Sequence, residues 1–421
     1  MAIPRPAPSL QAARTTLLLV GLAAATAKTA IAATTHGTDD VRTFMRFARV
    51  IAHVGPVGVY GVPGLTIYNH GPLTGILLAG MSPLAAHGAA MPLLIRLPAI
   101  LADLLACLLV FELTRDRMGV RRARWCGTVV ALSPVLVAVS GFHGHTDPVF
   151  AVLALLSAWL LTRRRLPLQA GIALGLALSI KIVPVVAVPA LLIAAFRLGG
   201  RGHVYRFGVG LAATLAALWA GPMLRYPVQV HADVLSYAGT SYRAWGLLHL
   251  ATVLGVPPHW IDLWGSAGRF SVVLLATATG AWIAWRRPKE AGAAVGLSLA
   301  AMLLFSTATA AQYLAWAAAG VMVAEFWSGL AYNLLAGVFL TELYARWSGH
   351  WYWDFARASL WTPVELWAGV AVWGTLAVAV VLGLRAVLRR PATVAATKDA
   401  PAGEGNSESA AERLGKARTP A

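Results

Sequence analysis

The chain has 421 residues, of which 58% are hydrophobic and only 12% are charged, and its mean hydropathy is +0.68. A soluble domain carries about 25% charged residues, so this composition excludes an ordinary soluble fold. Apolar runs of about 20 residues, each long enough to cross a bilayer core, recur from Thr15 to Leu388. We therefore predict an all-α, polytopic transmembrane helical bundle with about twelve spans.

The formal net charge of +17 raises the question of nucleic-acid binding. The arginines, however, cluster between apolar runs, as in Arg163–Arg165 and the group Arg385, Arg389 and Arg390. Such clusters mark cytoplasmic loops, so the charge indicates topology and we expect no nucleic-acid partner. Cys107 and Cys126 match no metal or redox spacing.

The N-terminal part is predicted to contain one span and a long outer loop. Residues 1–13 are expected in the cytoplasm, and the first span, 14–34, is expected to be retained rather than cleaved as a signal peptide. The first extracytoplasmic loop then covers about 35–92. Within VRTFMRFARVIAHV, apolar residues recur every three or four positions, which predicts an amphipathic helix on the membrane surface. The apolar piece at 72–86 is ambiguous.

The arginine clusters set the direction of the later spans. These spans are predicted at 93–113, 125–142, 148–162, 166–181, 184–197, 207–222, 269–285, 291–307, 313–327, 329–345 and 363–388. Together they make a membrane domain over 14–390. Residues 391–421 lack apolar periodicity and are predicted to be a disordered cytoplasmic tail.

Unusual polar and aromatic residues gather at the outer ends of these spans. They are Asp39, Asp40, Tyr68, Asn69, His70, His143, His145, Asp147, Lys181, Tyr242, Arg243, Trp245, Gln312, Tyr313 and Trp316. Burying a charge at membrane depth costs about 2.5–3.5 kcal/mol even on lenient scales, so such residues usually serve a function. Their position at one level predicts an outward-facing site.

Structural explanations exist for several of these residues. Asp147 before Pro148 is typical of a helix N-cap, and the acid pair Asp39 and Asp40 suits the N-terminus of the amphipathic helix. Lys181 is long enough to reach the interface. The alternation His-x-His-x-Asp from His143 is a weak zinc pattern. Each explanation remains open on the residues alone.

The order of these pieces resembles the GT-C superfamily of membrane glycosyltransferases, which use polyprenyl-phosphate-linked sugars. TDDVRTF resembles the family's catalytic acid just after the first span, and YNHGPL its Pro-Pro-Leu stretch, with Gly71 in place of one proline. LIRLPAILADLLACLLVFELTRDRMG, SIKIVPVVAVPALLI and AAQYLAW are similar to later stretches. The likeness covers about residues 14–330 and is nearest to bacterial mannosyltransferase-type members.

The resemblance implies transfer of a hexose, with mannose as the expected type, from a polyprenyl-phosphate donor. The acceptor would be the hydroxyl of an extracytoplasmic lipid, glycan or protein, and the configuration at C1 would be inverted. The site would face outward from a bacterial plasma membrane. Asp40, with Asp39 second, is the expected general base. Donor phosphate and sugar are expected at His143, His145, Asp147, Lys181, Arg243, Gln312 and Tyr313. The pocket is expected to be lined by Tyr68, Asn69, His70, Tyr242, Trp245 and Trp316. No cofactor is expected, and a divalent cation is not favoured because only one carboxylate cluster is obvious.

A secondary transporter or a lipid flippase is the alternative. A transporter places its ionisable residues near the bilayer midplane on broken helices, whereas most of those here lie at outer ends. Lys28 within the first span and Glu325 near the end of the tenth are the exceptions that favour it.

Overall fold

A computed structural model describes residues 9–65, 67–237, 245–351 and 353–389. Tyr242, Arg243 and the predicted tail 391–421 lie outside the described residues. The chain as far as Leu388 makes one compact unit. A second unit begins at Arg389, which is its only described residue.

The described residues from Leu10 to Thr162, the first part of the chain, form seven α-helices. They are α1 (Leu10–Thr34), α2 (Asp39–Gly58), α3 (Pro72–Ala86), α4 (Met91–Met118), α5 (Val120–Ala131), α6 (Pro134–Leu136) and α7 (Asp147–Thr162). A 3-10 helix follows α2 (Val59–Gly61), and a π-helix follows α6 (Val137–His143).

The remaining helices follow the same pattern of long apolar segments and short connections. They are α8 (Pro167–Ile180), α9 (Val188–Arg225), α10 (Pro227–Gln229), α11 (Leu247–Val253), α12 (Pro258–Ser266), α13 (Gly268–Arg286), α14 (Ala291–Leu304), α15 (Ala315–Ala324), α16 (Phe326–Ser348) and α17 (Pro363–Leu388). Three 3-10 helices (Val183–Ala187, Pro288–Glu290 and Ala311–Leu314) and one π-helix (Val230–Leu235) complete them.

The predicted all-α class has one small exception. The strands β1 (Gly37–Thr38) and β2 (Phe355–Ala356) pair in parallel, with Gly37 opposite Phe355 and Thr38 opposite Ala356. Two residues carry no alternating pattern, so this contact between distant segments could not be predicted from the sequence.

Helix α2 is the amphipathic helix that the sequence predicts. The Thr38 side chain accepts a hydrogen bond from the backbone N–H of Asp40, and so caps the helix. The buried side chains of α2 are Val41, Phe44, Phe47, Ala48 and Ile51. The helix is interrupted at Gly55, which has φ +77°, just before Pro56.

Each predicted span falls on one helix or on two or three consecutive helical segments. The predicted spans 184–197 and 207–222 lie within one stretch that is broken at Gly199 and Gly200. In the described part of the chain, five helices are long and apolar enough to cross a bilayer. The number is six if α12 and α13, bent by 61°, count as one span. The protein is therefore compatible with a polytopic membrane fold, and the count of twelve spans stays a prediction.

The centre of the unit is built from small residues. Helix α15 is buried along its whole length, and α14 along all but one residue. A Cβ added to Gly296 would lie 2.5 Å from the Cα of Gly320. Small residues at such crossings let helix backbones approach closely. This packing fixes the 3-10 helix before α15, which carries Gln312 and Tyr313.

The two intramembrane ionisable residues that favoured a transporter have structural partners. Lys28 Nζ lies 2.7 Å from the Asp103 carboxylate, and both side chains are buried. Glu325 caps α16 by accepting the backbone N–H of Ser328 at 2.7 Å. Buried Arg96 donates to the carbonyl oxygens of Ala32 and Thr35, and so closes the end of α1 beside β1.

Candidate active site

A cavity of about 640 Å³ lies between the start of α2, the π-helix Val137–His143 and the segment between α16 and α17. Its charged and polar lining comes from segments far apart in sequence. The lining side chains include Asp39, Asp40, Asn69, His70, His143, His145, Lys181, Gln312 and Tyr313. The rest of the lining is mainly aromatic or small and includes Phe44, Phe47, Trp347, Ala356, Ala358, Ser359, Leu360 and Trp361.

Asp40 is the carboxylate at the meeting point of three segments. Its Oδ2 lies 2.9 Å from Nε2 of His143 and 3.8 Å from Nε2 of His145. Gln312 donates its side-chain amide to the same oxygen at 3.2 Å. The Asp40 side chain is 34% exposed, so a molecule in the cavity can reach it.

The π-helix aims His143 at Asp40. His143 is its last residue, and its Nδ1 lies 2.7 Å from the Tyr344 hydroxyl. Gly144 follows in the left-handed region, with φ +80° and ψ +59°. A Cβ there would lie 2.5 Å from Cγ2 of Val41, so this turn requires glycine. The wider turn of a π-helix often occurs at functional sites.

Asp147 lies behind the cavity and holds two of its cationic groups. Its carboxylate is fully buried, 2.8 Å from Nδ1 of His145 and 3.1 Å from Nζ of Lys181. The indole N–H of Trp316 donates to the same carboxylate at 2.6 Å. The Lys181 ammonium also lies 4.8 Å from the centre of the Tyr313 ring, within cation–π range. Asp147 is thus the counter-charge that allows Lys181 to be buried here.

The charges around Asp40 determine its protonation. Burial alone would raise the pKa of the Asp40 carboxyl, but the charge and hydrogen bond of His143, with the charges of His145 and Lys181, lower it to about 2. Burial, with those same positive charges of His145 and Lys181, holds the pKa of His70 well below its usual range. At neutral pH the cavity therefore presents an ionised Asp40 and an uncharged His70.

The family model described as glycosyltransferase family 87 matches residues 68–307, which is more than half of the chain. The chain belongs to glycosyltransferase family 87. This is a polytopic membrane family of the GT-C type, so the resemblance seen in the sequence is confirmed. A search of curated proteins found no match.

Family 87 membership makes the chain a multi-pass membrane glycosyltransferase. The matched stretch contains His70, His143, His145, Asp147 and Lys181, but it begins after Asp40 and ends before Gln312. The cavity therefore joins residues inside the family match to residues outside it.

The structure places the predicted site residues in two layers of this glycosyltransferase. Nine of them line the cavity, as given above. Tyr68 is buried behind the lining, with its ring 5.0 Å from that of Phe47. Asp147 and Trp316 also lie behind it. The predicted N-cap role of Asp147 is wrong, because its side chain does not cap α7 and its carboxylate faces Lys181 instead. Trp245 is buried beside Gly369 of α17. None of these four side chains belongs to the cavity lining.

Several residues of the site were not anticipated from the sequence. Tyr344 of α16 contacts His143, which is 201 residues away in sequence. Trp347 of α16 lines the cavity, and so does Trp361 from the segment between α16 and α17. The aromatic residues at the outer end of α16 gave a weak signal, which is shared with any aromatic belt. Thr38, directly before the acid pair, had a readable N-cap pattern. Within the described residues, no three His, Cys, Asp or Glu side chains converge as a metal site.

Proposed function

We propose that this family 87 glycosyltransferase transfers a hexose, of mannose type, from a polyprenyl-phosphate donor to an extracytoplasmic hydroxyl. The acceptor oxygen attacks C1 of the sugar as the C1–O bond to phosphate breaks. The electron pair of the broken C1–O bond leaves with polyprenyl phosphate. Asp40 takes the acceptor proton as general base. A single displacement of this kind inverts the configuration at C1.

The observation that carries this proposal is the contact of Asp40 with His143, His145 and Gln312 at one cavity. These partners converge on Oδ2 of Asp40, which leaves Oδ1 as the oxygen that we assign to the acceptor proton. The amide of Gln312 and the ring of His143 fix the carboxylate orientation, which a general base needs before its substrate arrives.

The donor phosphate is assigned to the cationic side of the same cavity. Lys181 has three N–H donors, and Asp147 accepts one of them. Lys181 and His145 both line the cavity and supply positive charge where the leaving phosphate gains negative charge. Buried His70 Nδ1 has no hydrogen-bond partner in the described part of the chain, so it is suited to pair with a sugar hydroxyl.

Donor binding would also strengthen the base. In the free protein the pKa of Asp40 is lowered to about 2 by His143, His145 and Lys181, against the effect of burial. A carboxylate with so low a pKa is a weak base. A bound phosphate brings negative charge next to the same cations, and a like charge raises the pKa of a carboxyl. Asp40 then becomes more basic only when the donor is in place.

We assign the cavity to the side away from the cytoplasm, because the arginine clusters favour that orientation. Because polyprenyl phosphate is anchored in the bilayer, a cavity at the outer ends of the spans suits a lipid-borne donor. This location is in keeping with an envelope glycan, lipid or protein as acceptor.

Purified protein in lipid nanodiscs tests the proposed reaction with a panel of sugar donors. We expect release of polyprenyl phosphate from a polyprenyl-phosphate hexose and no turnover of the matching nucleotide sugar. The anomeric configuration of the product, read by NMR, should be inverted relative to the donor. Turnover of the nucleotide sugar alone would reject the donor class, and retention at C1 would reject the single displacement.

A further inference from the structure

We propose that Asp39 is a positioning residue, which holds residues 353–361 as the acceptor-binding wall of the cavity opposite the donor phosphate. This inference rests on the proposed function. It gives the second acid of the pair a role that is separate from that of Asp40. It also assigns a binding task to a segment that lies outside the family match.

The segment 353–361 is tied to the chain just before α2 at successive positions. The backbone N–H of Ala358 donates to Oδ2 of Asp39 at 3.2 Å. Ala356, two residues earlier, pairs with Thr38 in the parallel strands. Nearer the start of the segment, Nδ1 of His36 lies 2.6 Å from Asp354.

Two aromatic contacts connect the same segment to the catalytic surroundings. Arg42 lies in α2, on the turn that follows Asp40. Its guanidinium lies 3.5 Å from the centre of the Phe355 ring. The ring of Trp353 lies 5.0 Å from Phe142 and 5.7 Å from Tyr344. Tyr344 is the partner of His143, so the segment 353–361 and the catalytic base share supporting residues.

The two sides of the cavity differ in charge. Lys181 and His145 lie on one side, where they suit a phosphate. The lining contributed by 353–361 is uncharged and consists of Ala356, Ala358, Ser359, Leu360 and Trp361. A phosphate would find no cationic side chain there, whereas a neutral acceptor with an apolar face would lose little solvation. The charge pattern therefore separates the two substrates, with Asp40 between them.

The contacts that hold the segment 353–361 differ in strength. The His36 and Asp354 side chains are 75% and 56% exposed, and exposed ion pairs contribute little. Asp39 and its partner Ala358 both line the cavity. This hydrogen bond is exposed as well, but its donor is the backbone of the wall and its acceptor is a charged group, so Asp39 is the tie whose loss should move the wall. Because Asp39 only accepts a backbone N–H, an asparagine oxygen can replace it.

Steady-state kinetics of Asp39→Ala and Asp39→Asn, with donor and acceptor varied separately, test the role of Asp39. We expect Asp39→Ala to raise the acceptor KM roughly 10-fold, the loss of one charged hydrogen bond, while the donor KM stays within about 2-fold. Asp39→Asn should behave like the unmodified protein. Asp116→Asn is the control and should leave both KM values unchanged, because this exposed acid pairs with Arg163 and does not line the cavity.

Two results would overturn the proposal. One is an Asp39→Asn variant that is correctly folded and inactive, since this would place Asp39 in the chemistry. The other is an Asp39→Ala variant with an unchanged acceptor KM. A further variant, Ala358→Pro, removes the N–H donor, so adding it to Asp39→Ala should raise the acceptor KM no further. A fully additive rise would contradict coupling through this hydrogen bond.

Hydrogen exchange separates failure of this inference from failure of the proposed function. It needs no substrate, and it reports the backbone amides of 353–361 directly. We expect faster exchange in Asp39→Ala than in Asp39→Asn, whatever donor the protein uses. Equal exchange in the two variants would refute the positioning role even if transfer from polyprenyl phosphate is observed.

Discussion

At the level of single residues, the hydrogen-bonding rules fix how His143 acts on Asp40. A carboxylate only accepts hydrogen bonds, so Nε2 of His143 must carry the proton that faces Asp40. Nδ1 of the same ring lies 2.7 Å from the Tyr344 hydroxyl, which can accept from a protonated Nδ1 or donate to an unprotonated one. The chain Tyr344, His143, Asp40 therefore holds the carboxylate ionised and correctly oriented.

Replacement of His143 by phenylalanine tests this electrostatic link. Burial raises the pKa of Asp40, and His143 is the largest of the groups that lower it to about 2. Without His143 the pKa of Asp40 should rise, and protonated Asp40 is no base. As the pH is lowered, the His143→Phe variant should therefore lose transfer at a higher pH than the unmodified protein does.

The measurement is the pH profile of kcat/KM for both proteins. His87→Gln serves as the control, because His87 is exposed, its ring nitrogen lies against the carbonyl of Pro83, and it does not line the cavity. Its profile should match that of the unmodified protein. An acid limb that does not move in His143→Phe would show that this histidine does not set the protonation of the base.

At the level of elements, the π-helix and its closing glycine bring His143 and His145 to the same carboxylate. Gly144→Ala would incur about 1–2 kcal/mol for the left-handed backbone and would also press a methyl group against Val41, one residue after Asp40. We expect a lower thermal unfolding midpoint and a loss of transfer. Gly349 is the matched control, since it has the same φ of +80° and no atom within 4 Å of an added Cβ.

Gly349→Ala should therefore lower the midpoint slightly and keep full transfer. If the two alanine variants lose stability and activity equally, the contact with Val41 has no special importance. The turn after the π-helix would then serve only to reverse the chain.

The sequence predicted the helices well and the contacts between them poorly. Long apolar runs and arginine clusters located α1, α2, α4 and α17 within a few residues, because hydropathy and amphipathic spacing are local properties. The π-helix was not predicted, since its wider turn has no spacing pattern in a single apolar run. The pairing of β1 with β2 was missed because two residues show no alternation.

For the site, the order of motifs gathered Asp40, His143, Lys181 and Gln312 correctly at one cavity. The sequence did not separate the lining from its support. Asp147 and Trp316 are residue types that a lining could also contain. Only the packing of α7 against α15 shows that the two side chains face each other behind the lining. Tyr344 was missed because nothing local distinguishes it from an interfacial tyrosine.

At the level of the whole molecule, the fold brings together segments from both ends of the chain. The start of α2 supplies Asp40, the proposed base, and the middle of the chain supplies the cationic side chain of Lys181. The segment between α16 and α17 supplies an uncharged part of the lining. Family 87 membership accounts for the middle part alone, because the match covers residues 68–307. The complete cavity depends on the folding of residues on either side of that match.

The most direct test of the central claim compares transfer and donor binding in Asp40→Asn. General-base catalysis contributes about 10²–10⁴-fold, and asparagine keeps the size of the side chain and an oxygen toward His143. We expect transfer to fall by at least 100-fold while polyprenyl-phosphate sugar still binds. Asp116→Asn, a largely exposed acid paired with Arg163, should remain fully active. Normal turnover by folded Asp40→Asn would contradict the assignment of Asp40 as the base.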